Sequence, residues 1–260
     1  MKRKEDSQVF LVRHDHIFRD FRDRETRLDA IVRYQDFDKK LYPTTLRSHQ
    51  HQVSAYVAMF LELFDDAIPH SFDRKKALIM GWIHDDLELF MKNGDIPSSS
   101  EAQRSYEMQK YIENDELFGI REAKRYFPEK VDGYVYGELL LDAGKKLTSL
   151  EAQVVKFCDK MTGLAEALHE IEGGNVIFLE RPYNQVAKER VPSPLEYYAK
   201  YIQEIASRLP RFAETFTKEN VFLLEELKTK KDYEDRYNFW KKALCTYTPQ
   251  EEIKRLELVL

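Results

Sequence analysis

The chain of 260 residues has only two cysteines, Cys158 and Cys245. Two thiols are too few for a disulfide framework, so stability must come from packing, and a reducing, cytoplasmic setting is expected. Long apolar runs are also missing. The opening stretch MKRKEDSQVFLVRHDHIF carries basic residues but only a short apolar run before charges return. That excludes a signal peptide there and a membrane span. Positive charge is not in excess: 41 Lys and Arg against 46 Asp and Glu leave a net charge of -5. An extended nucleic acid is therefore a poor partner, although a local basic pocket could hold one phosphate. No alternating strand pattern and no internal repeat is found.

What is present is a globular composition, 43% hydrophobic and 33% charged, with 16 Phe and 15 Tyr. Disorder does not fit it. Helical periodicity dominates. Between residues 46 and 66, Val53, Val57, Phe60, Leu61 and Phe64 recur at three- and four-residue spacings. Ser71 or Asp73 can cap a second helix running to about Met91, apolar nearly all round and so expected at the centre of the fold. Asn93-Gly94-Asp95 ends it, and Pro97 with three serines makes a loop. Helices are expected near 99–116 and 131–142. From Thr148 to Glu172 a stripe runs through Leu150, Val154, Val155, Cys158, Met161, Leu164, Ala165, Leu168 and Ile171, and Gly173-Gly174 stops it. After an irregular stretch, 180–194, the helical period resumes from Leu195 to Leu209. Two or three further Glu/Lys-rich helices are expected in the last fifty residues. The expected fold class is all-α.

Within the second helix, GWIHDDLELF sets His84, Asp85, Asp86 and Glu88 among apolar neighbours. Burying an unpaired carboxylate costs about several kcal/mol even after relaxation. A metal ion is the strongest candidate to offset it. On one helix His84 and Glu88 would share a face, with Asp85 one step round. Two ligands hold an ion poorly, so others must come from elsewhere. Asp159 interrupts the apolar stripe of its helix, and His49 and His51 are both available near the start of theirs.

The pattern H…HD…D resembles the HD-domain metal-dependent phosphohydrolases, and more closely their bacterial 5'-deoxynucleotidase group. The first histidine of that group is followed by a Gln-Val pair, as His49 is by Gln52-Val53, which selects His49 over His51. The second motif reads HD, two residues, E, then GD and Pro, as in His84-Asp85-Asp86-Leu87-Glu88 and Gly94-Asp95-Ile96-Pro97. The last aspartate follows a lysine by three, as Asp159 follows Lys156, and the helix ends in Gly174-Asn175. An Arg-aromatic pair upstream matches Arg33-Tyr34. The resemblance covers roughly residues 28 to 210, as an HD-domain helical bundle. Residues 1–27 would be an N-terminal helical extension, and 211–260 additional C-terminal helices, read as a solvated extension or a homodimer contact.

The resemblance implies one divalent metal ion on His49, His84, Asp85 and Asp159. Mixed N and O donors suit Mn, Co, Fe, Ni or Zn better than Ca. It further implies Glu88 as the residue that activates the attacking water, Arg33 as the phosphate clamp, Asp95 near the substrate sugar and phosphate, and Tyr34 beside the 2' position. Two extra residues lie between Glu88 and Gly94, and Tyr34 stands where the group commonly has Trp. The implied activity is release of phosphate from (deoxy)nucleoside 5'-monophosphates, with a small-molecule nucleotide as the partner. Hydrolysis of dNTPs or other phosphorylated small molecules is the alternative within the superfamily. A non-catalytic nucleotide- or partner-binding module is the alternative of another class, opposed by the complete ligand set. Guanosine-tetraphosphate hydrolases resemble HDxxED, whereas Leu89 follows Glu88 here. Binuclear enzymes need extra histidines between HD and the last Asp, and none stands between residues 86 and 158. His14-Asp15-His16 is read as a solvated face, Asp86 as facing away from the metal, and His51 as a neighbour and not a ligand.

Overall fold

A computed structural model describes residues 14–33, 40–63, 68, 70–92, 105–179, 183–184, 188–190, 193 and 197. Tyr34, Asp95, most of the 195–209 helix and residues 211–260, each the subject of an expectation above, lie outside them. In chain order the helices are α1 (His14–Ile17), α2 (Arg24–Ala30), α3 (Leu46–Leu63), α4 (Arg74–Ile83), α5 (Tyr106–Tyr126), α6 (Tyr136–Leu141) and α7 (Leu150–Glu172). Two hairpins of two-residue strands, Lys130–Val131 with Tyr134–Val135 and Tyr183–Asn184 with Glu189–Arg190, supply the only strands among the described residues. The fold is helical, as the periodicity predicts. No helix among the described residues is long and apolar enough to cross a membrane.

The centre of the fold is α4. All seven residues from Ala77 to Ile83 are buried, in keeping with a sequence apolar on every side. It packs on α3 and α7, which also pack on each other. Asp73 starts it by accepting the Lys76 amide at 3.0 Å. Ser149 does the same for α7 through the Ala152 amide, each satisfying a donor with no intrahelical partner. Phe18 and Phe21, ahead of α2, belong to the same hydrophobic core as Leu28, Val57, Trp82 and Leu164.

Three boundaries differ from the sequence reading. The second helix stops at Ile83, not near Met91: Asp85 leaves helical geometry (φ -105, ψ 11) and residues Asp86–Leu89 form a 3-10 turn. Apolar residues continue past the break, so periodicity does not report it. The side chain of Asp86 is instead captured by groups from three other elements, described below. The helix expected at 131–142 begins at Tyr136, because Gly133 (φ 93) closes the first hairpin just ahead of it. The helix expected at 99–116 is described from Tyr106 and runs on to Tyr126.

The turn after α4 is held from outside by close backbone approach. A Cβ on Gly119 of α5 would collide with the carbonyl oxygen of Leu87, so only glycine lets α5 reach the turn. The half-buried guanidinium of Arg27 donates to the Leu89 carbonyl at 3.0 Å and lies over the Phe90 ring.

Candidate metal centre

Three elements converge on one point. His49 comes from the first turn of α3, His84 and Asp85 from the two residues that follow α4, and Asp159 from the middle of α7. The Nε2 of His49 lies 3.4 Å from Asp85 Oδ2 and 3.3 Å from Asp159 Oδ1. The Nε2 of His84 lies 3.0 Å and 3.9 Å from the same two oxygens. Donor atoms about 2.1 Å from a tetrahedral ion stand about 3.4 Å apart, and these separations bracket that value. Both Nε2 atoms are buried and make no hydrogen bond, the condition of a donor awaiting a cation.

The far side of each imidazole sets its tautomer. Nδ1 of His84 faces the Gly81 carbonyl at 2.9 Å. A carbonyl only accepts, so the proton sits on Nδ1 and the Nε2 lone pair points into the cluster. Nδ1 of His49 faces the Thr162 hydroxyl oxygen at 3.5 Å, while that hydroxyl donates to the Asp159 carbonyl at 2.7 Å. Burial alone would raise both carboxyls, but the charges around them win. His84 and His49 hold Asp85 well below the usual carboxylate range, and Lys156, Lys160 and His49 do the same for Asp159. Lys160, 3.3 Å from Asp159 Oδ2, is drawn down to about 8 chiefly by its own burial. Burial pulls His84 down, yet Asp85 and Asp159 raise it above its ordinary value. Anionic carboxylates facing buried imidazoles bind a proton or a divalent cation at the same place, which couples metal affinity to pH.

The sequence reading sets Glu88 on one helix with His84, and the structure corrects this. Glu88 sits in the 3-10 turn, half-buried, its amide donating to the Asp85 carbonyl at 2.9 Å. Arg33 is buried and not on a solvated face, with Nε 3.6 Å from Glu166 Oε2. Its backbone amide donates to the Thr44 carbonyl, joining the segment before α3 to the segment after α2.

Residues that sequence reasoning missed line the same face of α7. Asp159, Thr162, Glu166 and Glu170 follow one another at three- and four-residue spacings, one stripe of a helix. Glu166 Oε1 is 3.9 Å from His49 Nδ1, and Arg33 with Lys40 draws its carboxyl below the usual range against burial. Glu170, fully buried, accepts the backbone amides of Leu41 and Tyr42 at 2.8 and 2.7 Å. A row of acids and Thr at these steps, running beside the apolar stripe, is the signal that could have found them.

A second group of potential ligands gathers at His14, Glu25 and His51. His14 is buried, which corrects the solvated-face reading of His14-Asp15-His16; His16 is exposed. The His14 ring lies 4.4 Å from that of His51 and 4.9 Å from that of Trp82. Glu25 in this group already faces Arg24 Nη1 at 2.6 Å and Arg47 Nε at 2.8 Å. Two guanidiniums on one carboxylate make it an ion-pair network and repel a divalent cation.

Comparison with known proteins gives a consistent picture. The family profile described as 5'-deoxynucleotidase YfbR-like matches residues 21–207. Among curated proteins nothing matches. Of solved structures, a conserved hypothetical protein from Pyrococcus furiosus is 21% identical, covering 74% of this chain and 95% of its own, with a TM-score of 0.51. A protein from Pyrococcus horikoshii OT3 is 20% identical over 85% of this chain and 96% of its own, with a TM-score of 0.52. An HD-domain phosphohydrolase from Listeria innocua is 17% identical over 85% and 98%, with a TM-score of 0.52. At such identities these structures speak for a shared helical fold.

Proposed function

The chain belongs to the YfbR-like 5'-deoxynucleotidase family, and for this metal-dependent HD phosphohydrolase we propose release of phosphate from (deoxy)nucleoside 5'-monophosphates at the cluster of His49, His84, Asp85 and Asp159. The observation that carries the metal assignment is the pair of buried Nε2 atoms, neither hydrogen-bonded, facing two carboxylate oxygens at 3.0 to 3.9 Å. Two neutral imidazoles and two carboxylates fit one divalent ion from the Mn, Fe, Co, Ni, Zn group. Such an ion, when bound, neutralises phosphate charge and lowers the pKa of water.

The chain's own residues do the rest. Glu88 takes a proton from the attacking water as its oxygen bonds to phosphorus. The bond from phosphorus to the 5' oxygen breaks, and Glu88 returns the proton to that leaving oxygen. Arg33 offers a guanidinium to the equatorial phosphoryl oxygens, sharing it with Glu166. Asp95, from the Gly94-Asp95-Ile96-Pro97 motif, is assigned to the substrate sugar and phosphate, and Tyr34, standing where the family commonly has Trp, to the 2' position.

Phosphate release from deoxy- and ribonucleoside monophosphates and from dNTPs, each with several metals, tests the reading. Release of inorganic phosphate from monophosphates is expected. Turnover of dNTPs alone would move the activity to the triphosphate alternative, and none with any substrate would favour a non-catalytic module. Arg33→Lys is expected to lower kcat/KM for a monophosphate by about 10- to 100-fold, the worth of one hydrogen bond between charged groups. An ammonium cannot reproduce the bidentate fork. An unchanged kcat/KM would remove Arg33 from the phosphate site.

A further inference from the structure

One guanidinium ties together the segments that carry the proposed ligands. Arg24 on α2 is 1% exposed. Its Nε and Nη2 donate to the two oxygens of Asp86 at 2.8 and 2.7 Å. The same Nη2 donates to Gln50 Oε1 at 2.8 Å and to the Trp82 carbonyl. Gln50 closes the ring by donating from Nε2 to Asp86 Oδ1 at 3.0 Å, and the Tyr136 hydroxyl of α6 donates to Asp86 Oδ2 at 3.0 Å. Asp86 is fully buried.

The chain positions matter more than the burial. Gln50 follows His49, Asp86 follows Asp85, and Trp82 stands two residues before His84. On α3 and on the turn after α4, one residue faces the metal cluster and its neighbour faces back into this network. A displacement of either backbone would therefore break the network and separate the ligands together. A buried ion pair often contributes no more stability than apolar residues of similar volume, so stability alone does not account for it. A bidentate guanidinium–carboxylate pair does fix angle as well as distance.

We propose that Arg24, Gln50 and Asp86 are positioning residues for the metal centre: their network sets α3 against the turn after α4, so that His49 meets His84 and Asp85 at ligating distance before the ion arrives. The inference rests on the metal-binding reading above. It predicts that metal affinity falls when the network is removed even if the fold is kept, as for other residues that support ligands indirectly.

The test is a Co(II) titration of the metal-free full-length chain, followed by visible absorption, alongside the Tm of the same metal-free protein. The quadruple variant Arg24→Met/Gln50→Met/Asp86→Val/Tyr136→Phe replaces the network by apolar side chains and strands no buried hydroxyl, while Glu25, which loses Arg24, keeps Arg47. The expected result is a Tm close to the wild type, a Kd for Co(II) raised about 10- to 100-fold, and an altered absorption band. Where the quadruple variant does not fold, Gln50→Met alone carries the test, with a Kd raised toward the lower end of that range. Wild-type binding with an unchanged Kd and band in the folded variant would overturn the positioning role and leave the metal centre standing. A wild-type protein that takes up no Co(II) would overturn both.

Discussion

Glu88→Gln is expected to keep its metal and to lower kcat by about 100- to 10,000-fold, the usual contribution of a general acid–base group. The substitution preserves shape and removes the basic oxygen. Glu88 lies in the 3-10 turn that follows Asp85, its amide bonded to the Asp85 carbonyl at 2.9 Å. The turn thus ties its backbone to that of Asp85, while the four proposed ligands are supplied by other residues. Metal content by elemental analysis, read with kcat on a monophosphate, separates the roles. Loss of metal in Glu88→Gln would make Glu88 a ligand, and full activity would make it structural.

Asp85→Asn should lose metal affinity and rate together. Asp85 Oδ2 is 3.0 Å from one imidazole nitrogen and 3.4 Å from the other, and the histidines hold its carboxyl well below the usual range. An amide oxygen in that place is neutral and cannot balance a divalent charge. The loss of affinity should exceed the roughly 10- to 100-fold seen when a supporting residue is removed. The same titration used for the positioning network measures it. An Asp85→Asn protein that binds metal as the wild type does would displace Asp85 from the ligand set.

The helices and the cluster were legible for different reasons. Apolar spacing located α3 and α7, and the absence of a polar face on α4 placed it at the centre. The break after Ile83 was not legible, because Leu87, Leu89 and Phe90 extend the apolar period through it. It arises where Asp86 meets Arg24, Gln50 and Tyr136, and contacts between distant residues leave no local trace. His84, Asp85 and Asp159 were legible because each is a polar residue that an apolar surrounding makes costly, whereas His49 was told from His51 only by the motif of the family it resembles. Arg24 was not, since Arg19, Arg22, Arg24 and Arg27 stand in one charged run and nothing local marks the buried one. His14 was misread for the same reason: a short charged segment gives no sign that Trp82 and His51 will cover it.

The central claim is one divalent ion on four ligands from three elements, serving phosphate release. It is tested most directly by measuring metal per chain and phosphate release from a nucleoside 5'-monophosphate on one preparation, before and after chelation. The account predicts close to one ion per chain, activity lost with the metal, and activity restored when a divalent ion is returned. Two tightly held ions per chain, or undiminished phosphate release from the metal-free protein, would contradict it.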